Sequence, residues 1–350
     1  MEVAMVVSSN AHSQKLIPHK KNNRFYNLEH EKSRGVFLHS FFMFTKSYLK
    51  RRFCAQKTSF SIPETKKVQF SSGDIEITWI GHSTFLIKLG EIRLITDPIF
   101  GDASLLFRRI APPGISLKEL GALDYVLLSH NHRDHMDAKS LLHMRAHQPT
   151  LLVPKGDKRW FAKRAFNTVY EAEWWQEIIC HTQTEASLRF YFLPAYHWSQ
   201  RSLFDRNRSL WGSWLIEYNG YRIYFGGDTA NWHHFNHIAQ TFPSIDIALL
   251  PVGPCEPRKW MHHSHINAQE AGEAFLTLGA KHFVPMHWGT FHFGLDAIHA
   301  PIEQLYAWWE INLNKLEHAH LHIPQVGQKL LFNSDYNASE KIIKTAHREL

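Results

Sequence analysis

A chain of 350 residues with 44% apolar residues and 24 phenylalanines can bury a sizeable core, which excludes a disordered polymer. Three widely spaced cysteines, Cys54, Cys180 and Cys255, with no CxxC pair, exclude a disulfide framework and a cysteine-type zinc finger, and point to a reducing, cytoplasmic compartment. The net charge of +7 is uneven: residues 1–70 carry 13 Lys and Arg against 4 Asp and Glu, the rest 26 against 28, so the body lacks the basic stripe of a nucleic-acid binder and no such partner is expected.

In chain order, residues 1–34 are polar and basic, show no periodicity and read as a loose arm. The stretch 35–53, GVFLHSFFMFTKSYLKRRF, sets Phe37, Leu38, Phe41, Phe44, Tyr48 and Leu49 at helical spacing and ends in Lys50, Arg51 and Arg52. A basic amphipathic helix of this kind suits an anionic membrane interface, or a strap laid on the body. No apolar run approaches the ~20 residues of a membrane-spanning helix, and the first residues lack the basic region of a signal peptide. The expected organisation is a basic arm over residues 1–70, a folded body over 71–335 and a polar tail over 336–350.

The body begins with alternation: DIEITWIGHSTFLIKLGEIRLITDPIF reads as three short strands punctuated by Gly81 and Gly90. DYVLLS is a buried strand, and DAKSLLHMRAHQ is a helix opening at Asp137. TLLVP and LRFYFLPAYHW are strands, and LWGSWLIEYNGYRIYFGGDTA is a hairpin about Asn219 and Gly220. SIDIALLPVG is another buried strand, NAQEAGEAFLTLG a helix and KHFVPMHWGTF a strand running into a loop. PIEQLYAWWEINLNKLEHA is a helix with Pro301 at its start, and HLHIPQVGQKLLF closes the body with short strands. No internal repeat is visible. This order predicts a layered α/β body, two sheets sandwiched between helices.

With 26 histidines in the chain, placement decides which matter. SHNHRDHMD, residues 129–137, sets three histidines and two aspartates directly behind a buried strand. In extended chain, residues i and i+2 point the same way, so His130 and His132 can reach one metal ion. As the chain turns into the helix, Asp134 and His135 are aimed beside them, close enough for a second. Imidazole nitrogen and carboxylate oxygen without thiolate admit zinc, manganese or iron. Three more candidates stand where strands stop: His197 after RFYFLP, Asp228 after RIYFGG and His287 after HFVPM. Strand ends at one sheet edge share a crevice. Gly226 and Gly227 permit close backbone approach, and the two oxygens of Asp228 can bridge two ions. His143, His147, His233 and His234 read as surface imidazoles.

HxHxDH followed by isolated His, Asp and His at strand ends resembles the metallo-β-lactamase superfamily. TWIGHSTFLI, LITDPIF, SHNHRDHMD, PAYHWSQR, LWGSWLIE, YFGGDTA and PMHWGTF, spread over about residues 70 to 335, look like its N-acyl-phosphatidylethanolamine-hydrolysing phospholipase D branch. The arm matches little of that branch. The resemblance implies a four-layer αββα sandwich. It implies His130, His132 and His197 on one zinc ion, Asp134, His135 and His287 on another, and Asp228 bridging them. It adds His265, in HSHINAQEA, near the reacting phosphate, and Asp97, in TDPIF, orienting a ligand imidazole. His82 reads as a buried, hydrogen-bonded histidine beside the site. The implied cofactor is two Zn2+, with other divalent transition metals open by ligand type.

The implied reaction is phospholipase D-type cleavage of N-acyl-phosphatidylethanolamine to phosphatidic acid and an N-acylethanolamine. Hydroxide would form between two ions roughly 3.5–4 Å apart. Asp134 and His265 are the catalytic candidates, and the general acid is either His265 or a metal-bound water. Trp174, Trp175, Trp198, Trp211 and Trp232 are candidate walls of an acyl groove. The basic arm would add about 1 kcal/mol of attraction per Lys or Arg at an anionic membrane surface. That makes the protein cytoplasmic and peripheral on the membrane, with a phospholipid substrate. Three other readings use the same residues: a lactonase-type hydrolase of a soluble carboxylic ester, a nuclease, which the acidic body disfavours, and a membrane adaptor with purely structural metals. The oligomeric state is open, a homodimer included.

Overall fold

The computed structural model describes residues 16–27, 75–181 and 186–332. The helix expected over 35–53, the tail over 336–350 and Cys54 lie outside the described residues. Cys180 and Cys255 are buried free thiols.

A hairpin, β1 (His19–Lys21) and β2 (Arg24–Tyr26), precedes two seven-stranded sheets. The first sheet holds β3 (Ile75–Gly81), β4 (Thr84–Leu89), β5 (Ile92–Thr96), β6 (Tyr125–Leu127), β7 (Thr150–Pro154) and β8 (Val169–Ala172). The second holds β9 (Gln176–His181), β10 (Ser187–Leu193), β11 (Ser213–Tyr218), β12 (Tyr221–Phe225), β13 (Ile247–Pro251), β14 (His282–Met286) and β15 (His320–Leu321). The last strand, β16 (Lys329–Phe332), returns to pair with β3 in the first sheet. The helices are α1 (Ala138–Met144), α2 (Lys158–Ala162), α3 (His234–Thr241), α4 (Arg258–Met261), α5 (Ala268–Leu278) and α6 (Ala300–Ile311).

Period-two alternation separates the faces of the first sheet. Ile75, Ile77, Trp79, Phe85 and Ile87 join Phe190 and Trp214 of the second sheet in the large core. Ile80, Leu86, Ile95, Val126 and Leu128 point the other way, onto Leu141 and Met144 of α1 and Phe161 of α2. Phe275 and Leu278 of α5, with Ile302 and Leu305 of α6, complete the large core around the second sheet. The result is the expected αββα sandwich. Helix ends follow local chemistry. Asp137 caps α1 by accepting the Ser140 N–H, and Asn267 and Glu270 form a capping box on α5. The long final helix is shorter than expected, stopping at Ile311 before a 3-10 turn over Leu313–Lys315.

The two sheets share one plan. In the orders β16-β3-β4-β5-β6-β7-β8 and β9-β10-β11-β12-β13-β14-β15, three antiparallel pairings are followed by three parallel ones. The crossovers even use the same clasp. Asp124 accepts the Arg93 N–H at 2.9 Å, and Asp246 accepts the Arg222 N–H at 2.9 Å. A repeat invisible in sequence is thus present in topology.

The reading of residues 1–34 as loose fails over 16–27. Asn22 and Asn23 both take positive φ, 50° and 57°, as a two-residue hairpin turn requires. Phe25 is buried in the large core, and its N–H donates to the Asn207 carbonyl at 2.8 Å. Trp175 Nε1 donates to the Leu16 carbonyl at 2.7 Å. A single buried aromatic side chain and a few hydrogen bonds to backbone carbonyls dock this polar segment, which is why hydrophobic periodicity could not reveal it.

Candidate metal centre

Every expected metal-type side chain lies just past a strand end at one edge of the sandwich. His82 follows β3, Asp97 follows β5, and the segment from Ser129 to His135 follows β6. His197 follows β10, Asp228 follows β12 and His287 follows β14. Close approach of the two sheets explains one glycine: a Cβ on Gly227, whose φ is +58°, would fall 2.5 Å from Ser129 Cβ. His82, Asp97 and His287 also hold left-handed φ values of 56°, 35° and 62°. Such backbone costs on the order of 1–3 kcal/mol per residue and persists where surrounding bonds enforce it. Here the His82 N–H donates to Thr290 Oγ1 at 2.6 Å, and the His287 N–H donates to the His82 carbonyl at 3.1 Å.

Two adjoining groups result. In one, His132 Nδ1 lies 2.8 Å from His130 Nε2 and 3.3 Å from His197 Nε2. The other gathers Asp134, His135 and His287 with His82, whose Nε2 is 3.1 Å from Asp134 Oδ2. Asp228 stands between them. Its Oδ1 is 3.2 Å from His287 Nε2. Its Oδ2 is 3.2 Å from His135 Nε2, 3.8 Å from His197 Nε2 and 3.9 Å from His130 Nε2.

A buried network sets the imidazole orientations. Asp97 Oδ1 accepts the Ser129 N–H at 2.7 Å, while Oδ2 accepts the Ser129 hydroxyl at 2.5 Å and His135 Nδ1–H at 2.7 Å. Having donated to Asp97, Ser129 Oγ accepts from His130 Nδ1 at 2.9 Å. His197 Nδ1 donates to the Ser264 carbonyl at 2.8 Å. The inward Nε2 atoms of His130 and His197 are therefore proton-free. A proton on His132 Nδ1 can satisfy one of them at a time, and it leaves the buried His132 Nε2 without a hydrogen bond. A cation among the three nitrogens satisfies all of them, so this donor set fits a metal ion.

The electrostatics agree. Burial holds the His130 and His197 imidazoles well below their ordinary pKa and lowers His132 to about 4, so all three are neutral at pH 7. Burial would raise Asp134 and Asp228, but the facing histidines, His135 foremost, hold both carboxyls well below the usual carboxylate range. Burial would likewise depress His135, yet Asp228 and Asp134 outweigh it and hold its pKa well above 6.5. Burial raises Asp97, an effect its hydrogen-bond donors reduce.

All nine expected site residues fall in this region. His265 Nδ1 is 3.7 Å from Asp228 Oδ2, and burial lowers its pKa to about 4. Of the tryptophans, Trp198 packs edge-on to His132 at 4.2 Å between ring centres, and Trp232 packs on Tyr196 at 5.4 Å. Trp174, Trp175 and Trp211 are buried in the core, with Trp174 Nε1 donating to the Trp211 carbonyl, so they wall no open groove. His234, expected at the surface, is buried within hydrogen-bonding distance of Thr229. Sequence reasoning missed Ser129 as a relay, Ser264 as the His197 acceptor, and Phe293, whose ring lies 5.5 Å from His82 and 6.0 Å from His287. Ser129 stands at the head of the histidine motif, but its role depends on Asp97, 32 residues away. Nothing in the sequence flagged the Ser264 carbonyl.

This fold and centre define a metal-dependent hydrolase, and the chain belongs to the metallo-β-lactamase superfamily: the beta-lactamase superfamily domain profile matches residues 92–288. It is 33% identical over 239 residues to N-acyl-phosphatidylethanolamine-hydrolyzing phospholipase D 1 of Caenorhabditis elegans, covering 64% of this chain and 66% of that protein. It is 34% identical over 240 residues to the mitochondrial N-acyl-phosphatidylethanolamine-hydrolyzing phospholipase D of Saccharomyces cerevisiae, covering 65% and 50%. Within the superfamily it stands in the branch these two relatives represent. The match spans between half and two thirds of the length of these relatives. Among solved structures, a metallo hydrolase of the archaeon Ignicoccus hospitalis shares the fold, with a TM-score of 0.56 at 19% identity, covering 74% of this chain and 98% of that one. No helix among the described residues is long and apolar enough to cross a membrane.

Proposed function

We propose that the protein is a binuclear zinc phosphodiesterase of phospholipase D type, cleaving N-acyl-phosphatidylethanolamine to phosphatidic acid and an N-acylethanolamine at the periphery of a cytoplasmic membrane surface. The observation that carries this reading is the Asp228 carboxylate, which lies between two adjoining groups of ligand-type side chains, 3.2 Å from His287 and His135 of one and 3.8 Å from His197 of the other. The names of the two phospholipase D relatives supply the substrate class.

His130, His132 and His197 would hold one ion, Asp134, His135 and His287 the other, and Asp228 both. Bound there, zinc supplies Lewis acidity, lowering the pKa of water and offsetting the negative charge of a phosphodiester. The chain's own residues do the positioning. Asp97 fixes the tautomer of His135 directly and that of His130 through Ser129, and Ser264 fixes that of His197. His82 holds the Asp134 carboxylate. His265, neutral at pH 7 with its pKa near 4, acts by hydrogen-bonding a phosphate-ester oxygen and not by arriving as an imidazolium.

Metal analysis of the purified full chain should find two zinc equivalents. Turnover of a synthetic N-acylated phosphatidylethanolamine should yield phosphatidic acid and the N-acylethanolamine, and both His197→Ala and Asp228→Asn should abolish it. Cleavage on the glycerol side of the phosphate, preferred turnover of a soluble lactone, or full activity after chelation would each overturn the reading.

A further inference from the structure

We propose that the metal centre is presented to anionic phospholipid bilayers by two apolar loop tips on its rims, chiefly Leu203 and Phe204, a proposal that rests on the membrane-lipid substrate inferred above. Leu203 is 86% exposed and Phe204 80% exposed. Their loop is braced at its base. Asp205 Oδ1 accepts the Arg201 N–H at 3.0 Å and the Ser202 N–H at 2.8 Å, and the Asn207 N–H donates to the Ser199 carbonyl at 2.7 Å. The docked hairpin supports it through the bond from Phe25 to Asn207. Two large apolar side chains are therefore held out on a closed loop.

Single exposed leucines are ordinary on protein surfaces; position and charge distinguish these. The loop joins one rim of the centre, where Arg201 donates to the Met136 carbonyl at 2.6 Å and Trp198 packs on His132. On the other rim Leu105 is 88% exposed. Its loop closes through the Ala103 N–H and the Phe107 carbonyl at 3.0 Å, and the Phe107 ring lies 4.9 Å from Phe293, which faces His287. The centre thus lies between two apolar tips. Segments 16–27 and 199–209 carry the exposed cations Lys20, Lys21, Arg206 and Arg208, while Arg24 and Arg201 are half-buried and donate to backbone carbonyls; their only acidic residue, Asp205, is engaged in the turn. Cations around an apolar tip complement an anionic lipid surface: the charges meet headgroups and the tip enters the acyl boundary.

The test uses the metal-loaded full chain and flotation with phosphatidylcholine vesicles, with and without about 30% phosphatidylserine, a content that gives the anionic surface potential required. The parent protein should float with the anionic vesicles, less so as salt is raised. Leu203→Ser combined with Phe204→Ser should weaken that binding on the order of tenfold or more. It should slow turnover of vesicle-embedded substrate while leaving turnover of a dispersed short-chain analogue unchanged. Failure of the parent to float, or equal flotation of the variant, overturns the proposal. So does a fall in mass by sedimentation in the variant, which would assign the tips to a second copy of the chain. So does a drop in its melting temperature without vesicles, which would assign them to residues 28–74. Flotation is read without hydrolysis, so retained binding with no lipid turnover would sink the proposed reaction and not the docking surface.

Discussion

Replacing Asp97 with asparagine exchanges one oxygen of a fully buried carboxylate that accepts three hydrogen bonds. If the amide nitrogen takes the Oδ1 position, it meets the Ser129 N–H, donor against donor. If it takes the Oδ2 position, it donates toward His135 Nδ1, which must then give up its proton. The imidazole is then left with its proton on Nε2, the atom that faces Asp228 and Asp134 and that a metal ion needs bare. The Ser129 hydroxyl also loses its acceptor, and with it the orientation of His130 loosens. A charge-assisted hydrogen bond of this kind contributes about 1.5–3 kcal/mol, so metal affinity should fall roughly 10- to 100-fold. Competition against a chromophoric chelator at pH 7 measures this, with circular dichroism confirming the fold. Parental affinity in Asp97→Asn would refute the assignment of Asp97 as the residue that sets the tautomers.

Loading the metal-free protein at pH 7 should release about one proton, because the facing carboxylates hold His135 protonated well above 6.5 and a metal needs its bare Nε2. Apparent affinity should accordingly rise with pH, about tenfold per unit below the His135 pKa, while His132, held near 4, adds no dependence at neutral pH. Calorimetry in buffers of different ionisation enthalpy counts that proton, and a count of zero contradicts the charge assignment. Gly227→Ala should destabilise the fold by about 2–4 kcal/mol through its contact with Ser129 Cβ at positive φ, read as a lower denaturation midpoint; a change below about 0.5 kcal/mol would show that the loops can separate freely. Phe25→Ala should cost about 3 kcal/mol and remove hydrogen-exchange protection across His19–Tyr26, whereas retained protection would mean that backbone bonds alone dock the hairpin.

The sequence announced its chemistry most clearly where several constraints coincide. HxHxDH follows a fully buried strand and precedes a capped helix, and each of those features has its own sequence mark. His197, Asp228 and His287 were legible because strands with strong apolar runs stop just before them. The short connecting elements were not. β8, β9, α2, α3 and α4 are four to eight residues long, and their pattern is too brief to separate from loop. The role of His82 depends on a partner 52 residues away, and that of Ser264 on a backbone carbonyl, which has no sequence signature.

The shared plan of the two sheets carries a consequence for cohesion. By position, β3 corresponds to β10 and β5 to β12, so His82 and His197 are counterparts, as are Asp97 and Asp228. The first half contributes His130, His132, Asp134 and His135, the second His197, Asp228 and His287, and each of the two four-residue groups draws on both halves. An ion seated there is a rivet across the seam, adding RT ln(1 + [M]/Kd) to the work of prying the halves apart. Metal scarcity would then do more than idle the chemistry: it would loosen the molecule along its own midline.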